Sequence, residues 1–318
     1  MRPDHTEILD TLDTEGRLPD ARDLDRLPLE EQVRLVISHN VLAVQAVGDA
    51  AAVIAEAVQA IADRLNRGGR LVHAGAGTSG RLGVMDAAEI PPTFGATDQV
   101  VAVVAGGEQA VATAQEAVED DAAQACIDLD SIGLGPTDAV VATSASGRTP
   151  YGLGALTHAQ LRGALGVAVV NNPDSTMAAA ADIAIVVPTG PEVVAGSTRM
   201  KAGTAQKVIL NTLSTLVMVA LGRTYGDLMV DMVATNAKLA RRAQRIVMEA
   251  TGVPEDRAVA VLAGAGGEVK VAIVMELADV DVGAARSLLE AAGGHVRRAL
   301  SAAVEMPSPP GASEGDPP

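Results

Sequence analysis

Aromatic residues are almost missing from this chain: one Phe, two Tyr and no Trp, 1% of 318 residues. A core must therefore be filled with Ala, Val, Leu and Ile, and the chain has no platform on which nucleic-acid bases could stack. Positive charge is also in deficit. Lys and Arg number 24 against 40 Asp and Glu, a formal net charge of -16, which repels nucleic acid and anionic membrane surfaces alike. The single cysteine, Cys126, excludes an intramolecular disulfide framework and any site built from several thiolates. It is read as a small buried apolar residue. His5, His39, His158 and His295 are scattered and suggest no metal site, and His73, at a strand end, is read as a packed or hydrogen-bonded histidine rather than a catalyst. No run approaches the roughly 18 apolar residues of a membrane span, and residues 1–20 lack the basic-then-apolar pattern of a leader. The expectation is a cytoplasmic protein.

What is present is a globular composition, 48% hydrophobic and 20% charged, with length for one large domain and one small one. Residues 1–28 are acidic with scattered prolines and are expected to form an extended arm, in which Thr14-Glu15-Gly16 is either a loop reaching a neighbour or a solvated tail. Residues 29–45 have helical character. Val47, Ile54, Val58, Ile61 and Leu65 then recur at helical spacing, which predicts one apolar face of a long helix stopped at Gly68-Gly69.

The organising stretch is residues 70–95, RLVHAGAGTSGRLGVMDAAEIPPTFG. A short apolar run enters a Gly-rich turn that opens into an amphipathic segment, predicting strand, anion-binding loop and helix, with Pro91-Pro92 closing the helix. The turn satisfies G-x-G-x-x-G, the dinucleotide fingerprint. However, the next apolar run, residues 100–104, leads into Ala105-Gly106-Gly107 with no acid to hold a ribose hydroxyl. Thr78 and Ser79 add hydroxyl donors that suit a compact phosphate monoester, so a sugar phosphate is favoured over NAD.

From there, strands at 100–104, 139–143, 165–170 and 183–187 are separated by helical segments, notably 108–121 and 152–161. This alternation predicts an α/β fold, a doubly wound parallel sheet covered on both faces, with ligands at the carboxyl ends of its strands. Two further loops stand at that edge. Residues 143–150, TSASGRTP, crowd hydroxyls around a glycine beyond what one helix cap needs. Residues 191–204 place Glu192, Arg199 and Lys201 around a helix start. Past Gly222 the pattern is helical. A basic helix over 231–248 is followed by a boundary at 251–254 and by three short helices within 255–300, and the Pro-, Gly- and Ser-rich residues 306–318 are expected to be disordered.

GAGTSGRLGVMDAAEIPPT, SASGRTPY and EVVAGSTRMKAGTAQKVILN, in this order and spacing, closely resemble the N-acetylmuramic acid 6-phosphate etherase family of the sugar isomerase (SIS) domain superfamily; glucokinase regulatory protein is similar at greater distance. The resemblance covers residues 14–300 or so and implies a SIS domain over 59–222, preceded by an arm and helices over 1–58. A connecting helix over 223–250, a small ubiquitin-associated-like module over 251–300 and a tail over 301–318 would follow. The implied reaction is cleavage of the D-lactyl ether of N-acetylmuramic acid 6-phosphate to N-acetylglucosamine 6-phosphate and D-lactate, without cofactor or metal. Glu89 matches the family's acid and Glu119 its second catalytic glutamate, with Glu116 as the substitute. The hydroxyls of Thr78, Ser79, Ser144, Ser146 and Thr149 would hold the phosphate, assisted by the amides of Gly80 and Gly147. Glu192, Arg199 and Lys201 would bind substrate or organise the third loop. A homodimer is expected, paired through Ala-rich helices including residues 207–221, with Glu15 or His39 contributed by the partner.

The chemistry is also accessible from first principles. An ether is a poor leaving group, but in the open-chain aldehyde the C2 proton is acidic and the C3 oxygen lies β to the carbonyl, so one base and one acid suffice for elimination and re-addition of water. An aldose–ketose isomerase would use the same loops without releasing lactate, and a regulator would bind without turnover. A transcription factor would require a basic helix-turn-helix that the acidic N-terminal segment does not offer.

Overall fold

The computed structural model describes residues 12–115, 117–234 and 236–305. They divide into two compact units, one lying within residues 12–91 and 96–217, the other within residues 92–95 and 218–305. Glu116 and the tail 306–318 lie outside the described residues.

The first unit is built on five parallel strands, β1 (Leu71–Gly75), β2 (Val100–Val104), β3 (Ala139–Ser144), β4 (Leu165–Val170) and β5 (Ile183–Val186), in the order β2-β1-β3-β4-β5. The chain leaves β1 to one side for β2 and returns to the other side for β3, so a switch point falls between β1 and β3. Alternate strand residues face opposite ways. Val72, Ala74, Val140, Ala142, Ala168 and Val170 form one core with Leu129, Tyr151 and Leu156 from α5 (Ala122–Ser131) and α6 (Pro150–Leu161). The Tyr151 hydroxyl, in that core, donates to Asp128 (2.7 Å), and burial together with Asp128 pushes its pKa up.

His73 points from the opposite face. Its Nε2 lies 2.8 Å from Asp86 of α3 (Gly77–Phe94), and the other oxygen of Asp86 accepts from Asn211 (2.6 Å) and Ser214 (2.9 Å) of α8 (Lys201–Ala220). This buried network ties both helices to β1, as expected of a packed and hydrogen-bonded histidine.

At the amino ends of the strands, Asp138 accepts from the Arg70 backbone amide (2.8 Å), the Arg70 Nη2 (2.8 Å) and the Gly135 amide (3.0 Å). Burial opposes its charge, but the Arg70 guanidinium and the two amides outweigh it and hold the carboxyl below its usual value. A carboxyl depressed in the native state stabilises it above the ordinary carboxylate range and loses that contribution as pH falls through the lowered pKa. Asp138→Asn should therefore cost about 2 kcal/mol at pH 7, and chemical denaturation of both proteins should show the deficit shrinking towards pH 3.

Several sequence expectations are corrected. The long apolar-faced helix is two helices, α1 (Leu29–Asp49) and α2 (Ala51–Leu65), broken at Ala50 and bent by 63°; Val47 belongs to the first and Ile54 to the second. The helix expected over 108–121 is only α4 (Gly107–Ala112), followed by a 3-10 turn, Val118–Asp120, entered through left-handed Ala117 (φ 65°). From residue 12 on, the arm before α1 is folded into 3-10 turns, one of them Asp13–Glu15; its first 11 residues lie outside the described ones. Pro91-Pro92 do not stop α3. Their fixed φ is helical, and the helix ends where Gly95 turns left-handed (φ 65°) at a point where a Cβ would stand 2.4 Å from the Asp231 carbonyl. Cys126 is half-buried rather than a core residue. Short α7 (Thr176–Ala180) completes this unit's helices among the described residues.

In the second unit a hairpin, β6 (Thr224–Tyr225) and β7 (Leu228–Met229), stands where a connecting helix was expected, and the basic helix is α9 (Ala237–Thr251). Among the described residues four helices follow rather than three: α10 (Glu255–Gly264), α11 (Val269–Ala278), α12 (Val282–Ala291) and α13 (Val296–Glu305), the last running through residues 301–305 of the expected tail. Ile246, Val247, Val261, Ile273, Val274, Leu288 and Ala299 belong to one shared core. Among the described residues, no single helix is long and apolar enough to cross a membrane.

Candidate active site

Gly75 and Thr143 are register partners at the carboxyl ends of β1 and β3, so the loops that follow them emerge side by side at the switch point. Between them lies a cavity of about 380 Å³, within the range of small-molecule sites. One wall is Ala76, Gly77, Thr78 and Ser79, where α3 begins; a second is Thr143 to Ser146 with Thr149, where α6 begins. Glu15, Glu119 and Thr198 complete it.

Its walls are hydroxyl-rich and tied together. The Ser144 Oγ lies 2.8 Å from the Thr149 hydroxyl and 3.2 Å from that of Ser146, and accepts from the Gly147 amide (3.1 Å). Thr149 precedes α6 without capping it, leaving its hydroxyl to the cluster. The Ser79 hydroxyl donates to Gln206 (2.9 Å), which donates to Asn171 (2.9 Å), so the first loop is braced through α8 to the end of β4. The Thr143 hydroxyl is buried with no partner among the described residues. Among the described residues no Lys or Arg lines the cavity. Negative charge would instead be met by hydroxyl donors and by the amino-terminal ends of α3 and α6, whose first amides have no intrahelical acceptor.

Of the residues singled out in the sequence, Thr78, Ser79, Ser144, Ser146, Thr149 and Glu119 come together here. The others do not. Glu89 lies exposed on α3, nearly three turns beyond Ser79 and about 15 Å further along the axis, outside the cavity of its own chain. Gly80 is a packing position: a Cβ there would stand 2.5 Å from the Gly75 carbonyl oxygen and 2.6 Å from Val104. Gly147 has φ 67°, a Cβ would meet Ser175 at 2.3 Å, and its amide is already given to Ser144. Arg199 is exposed and outside the cavity.

Glu192 and Lys201 organise the third loop from within. Glu192, fully buried, accepts from the backbone amides of Lys201 and Ala202, both at 3.0 Å, and so caps α8. The Lys201 Nζ donates to the Thr189 carbonyl (2.8 Å); burial pushes its pKa down, against the opposing charge of Glu192. The loop between them carries Thr198 into the cavity. Glu192→Ala would leave two amides without an acceptor and should cost about 3 kcal/mol of stability, read by denaturant unfolding. His39, expected from a partner, lies within the electrostatic reach of Lys201 and Glu192 of its own chain, and burial lowers its pKa. Glu15 and Thr198 are the cavity residues that the expected site had not included from this chain.

The SIS domain family profile matches residues 132–216, and that of the glucokinase regulatory protein N-terminal SIS domain matches residues 53–160. The N-acetylmuramic acid 6-phosphate etherase of Rubrobacter xylanophilus is 52% identical over 84% of this chain and 89% of its own length, and that of Streptomyces avermitilis 51% identical over 84% and 86%. A phosphoheptose isomerase structure from Neisseria gonorrhoeae covers 60% of this chain and 98% of its own, with 18% identity and a TM-score of 0.47. Identity of about half over most of the chain places it in the N-acetylmuramic acid 6-phosphate etherase family.

Proposed function

We infer that this protein cleaves the D-lactyl ether of N-acetylmuramic acid 6-phosphate, giving N-acetylglucosamine 6-phosphate and D-lactate in amino-sugar catabolism. The observation that carries the reading is the hydroxyl-lined cavity at the switch point, with Glu119 on its rim, in a chain about half identical to etherases over most of its length.

The 6-phosphate sits among Thr78, Ser79, Ser144, Ser146 and Thr149, taking their hydroxyl protons and the free amides of α3 and α6. With the sugar in its open aldehyde form, Glu119 removes the C2 proton. The electron pair forms the C2–C3 double bond, the C3–O bond breaks, and an acid protonates the departing lactyl oxygen. Water then adds at C3 and a proton returns to C2, so the balance is one ether and one water consumed for two hydroxyls.

Glu89 fills the acid role by its match to the family position. Because it stands outside its own chain's cavity, it acts in the cavity of a partner subunit. The apolar face of α1 supports a homodimer: Leu29, Val33, Ile37, Val41 and Val44 are exposed there, and the last three line an apolar groove of about 450 Å³ bounded also by Thr204. A phosphorylated sugar does not cross a membrane unaided because of its charge, which supports a cytoplasmic reaction. Incubation with N-acetylmuramic acid 6-phosphate should release one equivalent of D-lactate; exchange of the C2 proton with no lactate would instead mark an isomerase.

A further inference from the structure

We propose that Glu15 is a substrate-contacting residue, whose carboxylate accepts hydrogen bonds from the hydroxyl or amide N–H groups of the bound amino sugar, and that Thr14 and Asn172 position it. The sequence left Thr14-Glu15 as a solvated tail or a loop reaching a neighbour; its placement here is within the chain's own cavity. Thr14 is fully buried. Its amide donates to the Asn172 Oδ1 (3.4 Å), and its hydroxyl accepts from the Asn172 Nδ2 (2.9 Å), which also donates to the Ala145 carbonyl (2.8 Å). One side chain thus holds the arm to the backbone of the hydroxyl loop.

The next residue is thereby aimed at the cavity. Gly16, on its far side, packs against Pro191, which a Cβ would approach to 3.1 Å, and the Glu15 Oε2 lies 3.2 Å from where a Cβ of Gly196 would be. The arm is therefore held between the second and third loops. Among the described residues no hydrogen bond or ion pair engages the Glu15 carboxylate. A carboxylate repels a phosphate, so it belongs at the sugar end of the ligand, away from the amino ends of α3 and α6. There it can only accept hydrogen bonds, and the ring hydroxyls and the acetamido N–H are the donors an amino sugar offers.

The sugar's identity rests on the etherase reading, but the test requires no turnover. Calorimetric titration of the full chain with N-acetylglucosamine 6-phosphate and, separately, with inorganic phosphate distinguishes the two ends of the site. Glu15→Ala is expected to weaken the sugar phosphate about 10- to 100-fold and to leave inorganic phosphate unchanged or slightly tighter. Thr14→Val should weaken the sugar phosphate in the wild-type background but add nothing in Glu15→Ala, and Thr14→Ser should restore affinity; a merely structural threonine would give additive effects. Equal sugar-phosphate affinity in wild type and Glu15→Ala, or an equal loss for both ligands, would overturn the proposal while leaving the etherase reading intact. Wild-type protein that fails to bind the sugar phosphate would overturn that reading and this proposal together. Glu15-dependent binding without lactate release would overturn the etherase reading alone.

Discussion

Glu119→Gln should cut lactate release from N-acetylmuramic acid 6-phosphate by about 10³-fold, the size of effect a positioned general base contributes. Affinity for N-acetylglucosamine 6-phosphate should stay within a few fold of wild type. The residue is exposed on the 3-10 turn Val118–Asp120, so replacing carboxylate by amide removes a proton acceptor and disturbs no core. The hydroxyls proposed to hold the phosphate come from other loops, so binding should survive. Chemistry lost with binding kept is the signature of an interaction made in the transition state; an equal loss of both would instead make Glu119 a binding residue.

Glu89→Gln should be equally disabling, and the position of Glu89 gives this variant a second consequence. If Glu89 acts in a partner's cavity, as proposed from its place outside the cavity that holds Glu119, each active site of a dimer would draw one glutamate from each subunit. Two inactive variants, Glu89→Gln and Glu119→Gln, should therefore complement one another when unfolded together and refolded. Random pairing makes half the dimers mixed, and each mixed dimer holds one site with both glutamates, so about a quarter of wild-type activity should return. No recovery, despite mixed dimers shown by native mass spectrometry, would deny that Glu89 acts across the interface.

The sheet and two of the cavity walls were legible in the sequence because their determinants are local. Short β-branched runs such as residues 100–104 and 165–170 read as buried parallel strands, and the hydroxyls of Thr78, Ser79, Ser144, Ser146 and Thr149 follow such runs within a few residues. Where the reading failed, the deciding contact was distant or depended on helix geometry. Glu192 resembles a ligand-edge charge until its carboxylate is seen to close on the amides of Lys201 and Ala202. Glu15 is aimed by Asn172, 158 residues from Thr14, a pairing no local pattern announces. Glu89 follows the Gly-rich loop closely in sequence, yet the rise of α3 carries it about 15 Å away. Gly80 and Gly147 stand beside the cavity hydroxyls but are dictated by contacts with Gly75, Val104 and Ser175.

The most direct measurement is the reaction run in deuterated water, with the recovered N-acetylglucosamine 6-phosphate examined by NMR. Abstraction of the C2 proton, elimination and re-addition require one deuterium at C2 for every D-lactate released. Lactate formed while C2 keeps its original proton would contradict the elimination and the role of both glutamates in it.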